Sequence, residues 1–137
     1  MGQQQLLLLV LGIVVVAFAV LAGMFAMDEN MRKAAADNLV DRNLTIAMEA
    51  VYWKAKKDPY AGGNASYAGL ETDGMKKLFL GEYTNDGFFR ITYADDNNLQ
   101  ITAVSLRYPN IGVRTFVTGF SIDSTAIASD GSITAEP

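Results

Sequence analysis

From Leu6 to Met27 the chain runs for 22 residues without a charge, an Asn, a Gln or a Pro, and this run constrains every other reading of the sequence. A bilayer core of roughly 30 Å takes about 20 apolar residues in a helix, so the run is long enough to span one. Burying its large side chains is worth ~1.5–3 kcal/mol each, roughly 30–50 kcal/mol for the run as an upper bound. A monomer in water does not tolerate such a surface. The segment belongs in lipid, among other copies of itself, or in each by turns. A cleaved secretory signal is the weaker reading, since it has a basic start and a shorter apolar core. Here only Met1-Gly2-Gln3-Gln4-Gln5 precedes Leu6.

Nothing after Met27 breaks the helix. Asp28 to Ala36 is rich in helix formers. Beyond it Val40, Leu44, Ala47, Val51 and Ala55 recur three and four apart, with Leu39, Met48 and Tyr52 beside them, an apolar stripe along one helix face. The pattern stops at Lys56-Lys57-Asp58-Pro59, with cations in the last turn and a proline that does not continue a helix. The sequence thus predicts one helix from about Gln3 to about Lys57, roughly 80 Å long at ~1.5 Å per residue. A plain membrane anchor needs only the first ~20 residues and then a flexible linker; the added amphipathic rod favours assembly.

The rest of the chain reads differently. Tyr60 to Ser66 is a glycine-rich loop, and a short helix is expected around Asp73–Leu80. After Asn85-Asp86-Gly87 the period becomes two. Phe89, Ile91 and Tyr93 alternate with Arg90, Thr92 and Ala94. Leu99, Ile101 and Ala103 alternate with Gln100, Thr102 and Val104. Val113, Thr115, Val117 and Gly119 face away from Arg114, Phe116, Thr118 and Phe120. These are three antiparallel strands, turning at Asp95–Asn98 and at Tyr108-Pro109-Asn110. The tail from Ser124 is small and polar, with Ile127 and Ile133 as the residues able to pin it as an edge strand. The expected fold class is α+β. A long helix (1–57, with 6–27 as the apolar part and 28–57 amphipathic) carries a small antiparallel sheet on its C-terminal half, within a β-rich head (58–137). The apolar stripe and the apolar sheet face need each other. Tyr52, Trp53, Tyr60, Tyr67 and Tyr83 form an aromatic-rich neck expected to pack helix against sheet.

The 137 residues contain neither cysteine nor histidine. That removes disulfides, zinc sites, thiol nucleophiles, triad chemistry and the usual neutral-pH proton shuttle. The net charge of −4 is split: residues 28–57 carry five acids and six bases, residues 58–137 ten acids and five bases. No basic patch with interleaved aromatics occurs, so nucleic acid is not an expected partner. Carboxylates at Glu71, Asp73, Glu82 and Asp86 read as solvated loop charge, and Asp95-Asp96-Asn97-Asn98 reads as a hairpin turn before a calcium site. Neither an enzyme activity nor a cofactor or metal is expected. Asn43-Leu44-Thr45 and Asn64-Ala65-Ser66 match the N-glycosylation acceptor pattern, Asn64 in a loop and Asn43 in mid-helix.

An apolar helix starting almost at residue 1, continuing amphipathically to about residue 55 and followed by a β-rich head, resembles the type IV pilin family across the whole chain in layout. The sequence-specific part of the resemblance is Gly2 to Met27. It implies cleavage after Gly2, with Gln3 as the first mature residue, and apolar half-helices that pack into a filament core. Gln3 stands where Phe is usual, and Leu7 where bacterial pilins carry a glutamate; archaeal pilins also lack that glutamate and often start with Gln. Within such a core Ala19-x-x-x-Gly23 and Ala22-x-x-x-Ala26 form a small-xxx-small face, with Gly12 nearer the start. The implied role is a structural subunit of an extracellular filament, a homo-oligomer held in the cytoplasmic membrane before an assembly machinery extracts it. Alternatives are a single-pass membrane-anchored extracytoplasmic binding module, or a minor pilin or pseudopilin of a secretion or pilus system. Arg32 and Lys33 after the span argue for a cytoplasmic C-terminus; the Thr/Ser/Asn-rich strands resemble secreted surface modules and carry more weight.

Overall fold

The computed structural model describes residues 2–58 and 62–134. Helix α1 spans Gly2–Ala55 and the single-turn helix α2 spans Gly74–Lys77. Four strands follow: β1 (Gly87–Ala94), β2 (Asn98–Ser105), β3 (Gly112–Thr118) and β4 (Ser121–Ala128). They form one antiparallel meander in the order β1-β2-β3-β4. The fold is α+β, one long N-terminal helix and an antiparallel sheet. The chain divides into two compact units, one ending at Lys33 and one beginning at Ala34.

In the first unit every residue from Gly2 to Lys33 is helical and exposed. Two ion pairs one turn apart, Asp28–Arg32 (3.1 Å) and Glu29–Lys33 (3.2 Å), run acid-to-base along the helix. That is the favourable direction against the helix dipole, worth ~0.3–0.5 kcal/mol each on a surface.

The second unit owns the core. The C-terminal part of α1 buries Leu39, Asn43, Ile46, Ala47, Ala50 and Lys54 beneath Phe89, Ile91, Leu99, Ile101, Val113 and Val117 of the sheet. This corrects the stripe read from hydrophobicity. Val40, Leu44 and Val51 only flank the core, while Met48, Tyr52 and Ala55 are exposed. The buried line runs 39, 43, 46–47, 50, 54, and two of its members are polar. Tertiary partners admit them: Asn43 Nδ2 donates to the Val113 carbonyl (3.5 Å), and Lys54 finds partners described below. Neither is visible to a pattern that counts apolar side chains.

The helix ends because the chain folds back on it. The N–H of Gly63 bonds the Trp53 carbonyl (2.9 Å), that of Asn64 the Lys56 carbonyl (3.2 Å) and that of Ala65 the Lys54 carbonyl (2.8 Å), which satisfies groups a helix terminus leaves open. Gly63 is required there: a Cβ would lie 2.6 Å from the Trp53 ring. The aromatic neck is only partly a packing layer. Tyr67 is buried and Trp53 half-buried, but Tyr52 and Tyr83 are 67% and 70% exposed, the latter resting on Phe88 with ring centroids 4.7 Å apart. Tyr60 lies outside the described residues.

Two further corrections concern the sheet. A bulge between Ile91 and Tyr93 reverses the phase of β1, so Ala94 is buried and Tyr93 exposed, opposite to strict alternation. And the tail that Ile127 was able to pin as an edge strand does form one, starting earlier than expected, at Ser121. The third strand ends at Thr118, Gly119-Phe120 makes a two-residue hairpin with Gly119 at φ +63°, and the polar stretch after it pairs with β3 along Ser121–Ala128. A glycine first in such a loop matches the twist of the strands.

Candidate functional site

The side chains the sequence marks for assembly lie in the first unit. Leu6 to Leu9, Phe18, Met24 and Phe25 stand in the open, Phe25 at 75% exposure. Gly12, Ala19, Ala22, Gly23 and Ala26 are exposed as well, and a Cβ built on Gly12 or Gly23 meets nothing within 4 Å. At Gly12 the missing side chain opens a shallow apolar groove between Leu8, Leu9, Ile13 and Val16. In lipid or beside another helix, such a dent admits a knob from a neighbouring backbone at close approach. By length and composition α1 is able to cross a membrane. Gly2 and Gln3 are its first residues, both exposed.

The head carries a second cluster that periodicity hides. Lys54 is 1% exposed. Its Nζ donates to Asn97 Oδ1 (3.2 Å) and to the Gly119 carbonyl (3.3 Å). It also lies 4.5 Å from the centre of the Tyr67 ring and 4.7 Å from that of Phe120. Tyr67 Oη donates to the same Gly119 carbonyl at 2.6 Å, and burial raises its pKa. The Gly119 N–H in turn bonds the Asn97 carbonyl (2.8 Å). One ammonium thus ties the end of α1 to the β1–β2 and β3–β4 turns, its charge spread over carbonyl dipoles and ring faces. The arrangement is a clamp. Lys54 lies four residues after Ala50 and seven after Ala47, on the buried line that only the tertiary structure reveals.

The remaining candidates resolve into local structure. Asp95 Oδ1 accepts the N–H groups of Asn97 (2.8 Å) and Asn98 (2.6 Å), and Oδ2 accepts Asn98 Nδ2 (3.1 Å) and Tyr93 Oη (3.0 Å). The Asn98 backbone and side-chain bonds, then that of Asn97, hold the Asp95 carboxyl at about 2, below its ordinary 3.8. Its oxygens are committed to the turn. Asp73 pairs with Lys76 (3.7 Å), and Glu71, Asp73 and Asp86 are exposed. Among the described residues no group of three or more metal-ligating side chains comes together. Of the two glycosylation sequons, the fold encloses Asn43 completely, its Oδ1 buried without a partner. A glycan on Asn43 is therefore incompatible with the folded head. Asn64 sits on an exposed turn at φ +50°.

No family model matches the chain, and comparison with curated proteins and with solved structures returns no match.

Proposed function

We propose that this chain is the structural subunit of an extracellular filament of the type IV pilin kind, polymerising through bundled N-terminal helices. One observation carries the reading: the helix presents an unbroken apolar surface from Leu6 to Met27 with every side chain exposed, on a chain whose head has a complete core of its own beginning at Ala36. The apolar surface has no role in folding the head, so it exists to meet something else. The membrane holds it before assembly, and identical helices hold it afterwards, drawn out by an assembly machinery. Gly12, Ala19, Ala22, Gly23 and Ala26 supply the close approaches between helices. The role is structural, without catalysis, cofactor or nucleic acid, and the head forms the outer surface at the cell exterior.

The autonomy of the head's core also supports a second reading, a single-pass anchor displaying an extracytoplasmic binding module. Cryo-electron microscopy of material sheared from the cell surface separates the two. Continuous fibres with Leu6–Met27 helices packed at their centre are expected. If shearing releases nothing and detergent extracts a monomer, the filament reading fails and the anchored module takes its place. Fibres in which this chain occurs only at a tip would make it a minor pilin.

A further inference from the structure

The face of the sheet turned away from α1 has an unusual charge. Strand register places Arg90, Thr102 and Arg114 in one row across β1, β2 and β3, with Ala126 of β4 next in line. Arg114 Nε donates to Thr102 Oγ1 (3.4 Å), and Thr102 Oγ1 lies 3.0 Å from Thr92 Oγ1, which accepts Gln100 Nε2 (2.8 Å). These side chains mark the outer face, and no Asp or Glu occupies a paired position on it. The single acid within the four strands, Asp123, is the unpaired residue at the β3–β4 bulge. Yet residues 58–137 hold twice as many acids as bases. Arg90 is exposed and Arg114 half-exposed, and neither makes an ion pair within the described residues.

The acids gather elsewhere. The hydroxyl of Tyr93 donates to Asp95 (3.0 Å), and the charges of Asp95 and, more weakly, Glu71 raise its pKa, so Glu71 is within electrostatic reach of the end of β1. Asp96 in that turn is exposed, with one oxygen accepting Ser66 Oγ (2.8 Å). The bonds that lower the Asp95 pKa keep it ionised, and Asp95, Asp96 and Glu71 together make this end of the sheet negative. Asp95 lies five positions beyond Arg90, about 16 Å at ~3.3 Å per residue. The Debye length is about 8 Å at physiological ionic strength. The turn does not neutralise the arginines of its own head.

We propose that the outer sheet face around Arg90 and Arg114 docks the acidic β1–β2 turn of a second copy of this chain. Two different patches meet in this contact, so it is heterologous. Such contacts propagate into open helical assemblies when the rotation between copies does not close a ring. The contact rests on the filament reading for its repetition, and it gives that reading a lateral bond between heads besides the helix bundle. Charge complementarity of this kind sets register and partner choice more than raw affinity.

The absence of cysteine from the chain makes the test clean. Ala126→Cys lies in the arginine row, and Ala68→Cys borders the Asp95–Asp96 turn; both positions are exposed. The full-length double variant, oxidised on the cell surface or in vesicles, is expected to give a ladder of dimers, trimers and higher species, and each single variant none. Arg90→Glu with Arg114→Glu in that background should lower ladder yield at least about tenfold, the effect of ~1.4 kcal/mol. Adding Glu71→Lys and Asp96→Lys should restore it, a recovery that a merely misfolded head would not show. Filaments without a ladder, or a ladder indifferent to charge reversal, overturn the contact and leave the filament reading intact. A charge-sensitive ladder without filaments keeps the contact and removes the filament.

Discussion

Phe79 is the residue most at odds with its place. Helix α2 closes with the Leu80 N–H on the Met75 carbonyl (2.8 Å) and the Phe79 N–H on the Lys76 carbonyl (3.0 Å). This is a Schellman cap, whose left-handed position normally holds glycine. Phe79 takes it at φ +58° and is 92% exposed, so its ring contributes little burial to offset the strain. Phe79→Gly is expected to stabilise the head by about 1 kcal/mol, read as a raised thermal midpoint; an unchanged or lower midpoint would show that the ring packs in a way the fold does not reveal. Lys54 is the opposite case, a polar residue well provided for. Lys54→Ala should destabilise the head by about 3 kcal/mol, and Lys54→Met, which keeps the stem's volume, by about half that. An alanine variant as stable as the parent would refute the clamp. Asp95 supplies a pH dependence. Its carboxyl pKa falls from 3.8 in the unfolded chain to about 2 in the folded one, so the folded state favours the ionised form. That stability is present above about pH 4 and is lost as pH falls towards 2. Asp130, lowered by its bonds to Ser132, adds in the same direction. Denaturant titrations at pH 5 and pH 2.5 should differ less in Asp95→Asn than in the parent.

Helix α1 performs two tasks with one backbone conformation. Its later turns are positioned by side chains that meet the sheet, while its first eight turns are specified by helix propensity and apolar character. The proposed packing of those turns against other copies is tested most directly at Gly12. Gly12→Leu fills the dent beside Leu8, Leu9, Ile13 and Val16, and the chosen residue is a better helix former than glycine. Loss of filaments is expected, with the stability of the head within about 0.5 kcal/mol of the parent. Normal fibres from this variant would mean that the Gly12 face looks outward. The sheet shows a different division. β1 to β3 place apolar side chains on the helix, whereas β4 is an edge strand of small polar residues with Ile127 half exposed. It is held by its backbone ladder to β3, by the Thr115–Thr125 hydroxyl contact (3.3 Å) and by Ile122 against the core, a single apolar contact that gives little periodic signal.

Taken whole, the chain joins a unit without a core to a unit with one. No residue before Ala36 belongs to the head's hydrophobic cluster. A chain beginning at Asp28 is therefore expected to stay in the supernatant without detergent and to retain the sheet by far-ultraviolet circular dichroism. The full chain should require detergent, lipid or self-assembly to remain in suspension. Sedimentation of both forms in the same buffer decides this, and a shortened chain that still pellets would mean the head itself drives association.

The apolar run, the length of α1, the first three strands and their two turns were all legible in the residues, because each is a local property: composition over 22 positions, a period of two, a turn between runs. Which side of α1 enters the core was not, since Asn43 and Lys54 are acceptable there only once Val113, Asn97 and Gly119 arrive from 65 or more residues away, or 43 in the case of Asn97. The bulge at Ile91/Tyr93 and the bounds of the edge strand β4 depend likewise on backbone partners, which side-chain character does not encode. Arg90 and Arg114 sit 24 positions apart in sequence and become one row only through the register of β1 on β2 and of β2 on β3. Local chemistry determined the elements; hydrogen-bond register and burial, which are settled between distant segments, decided what those elements present to one another and to a partner.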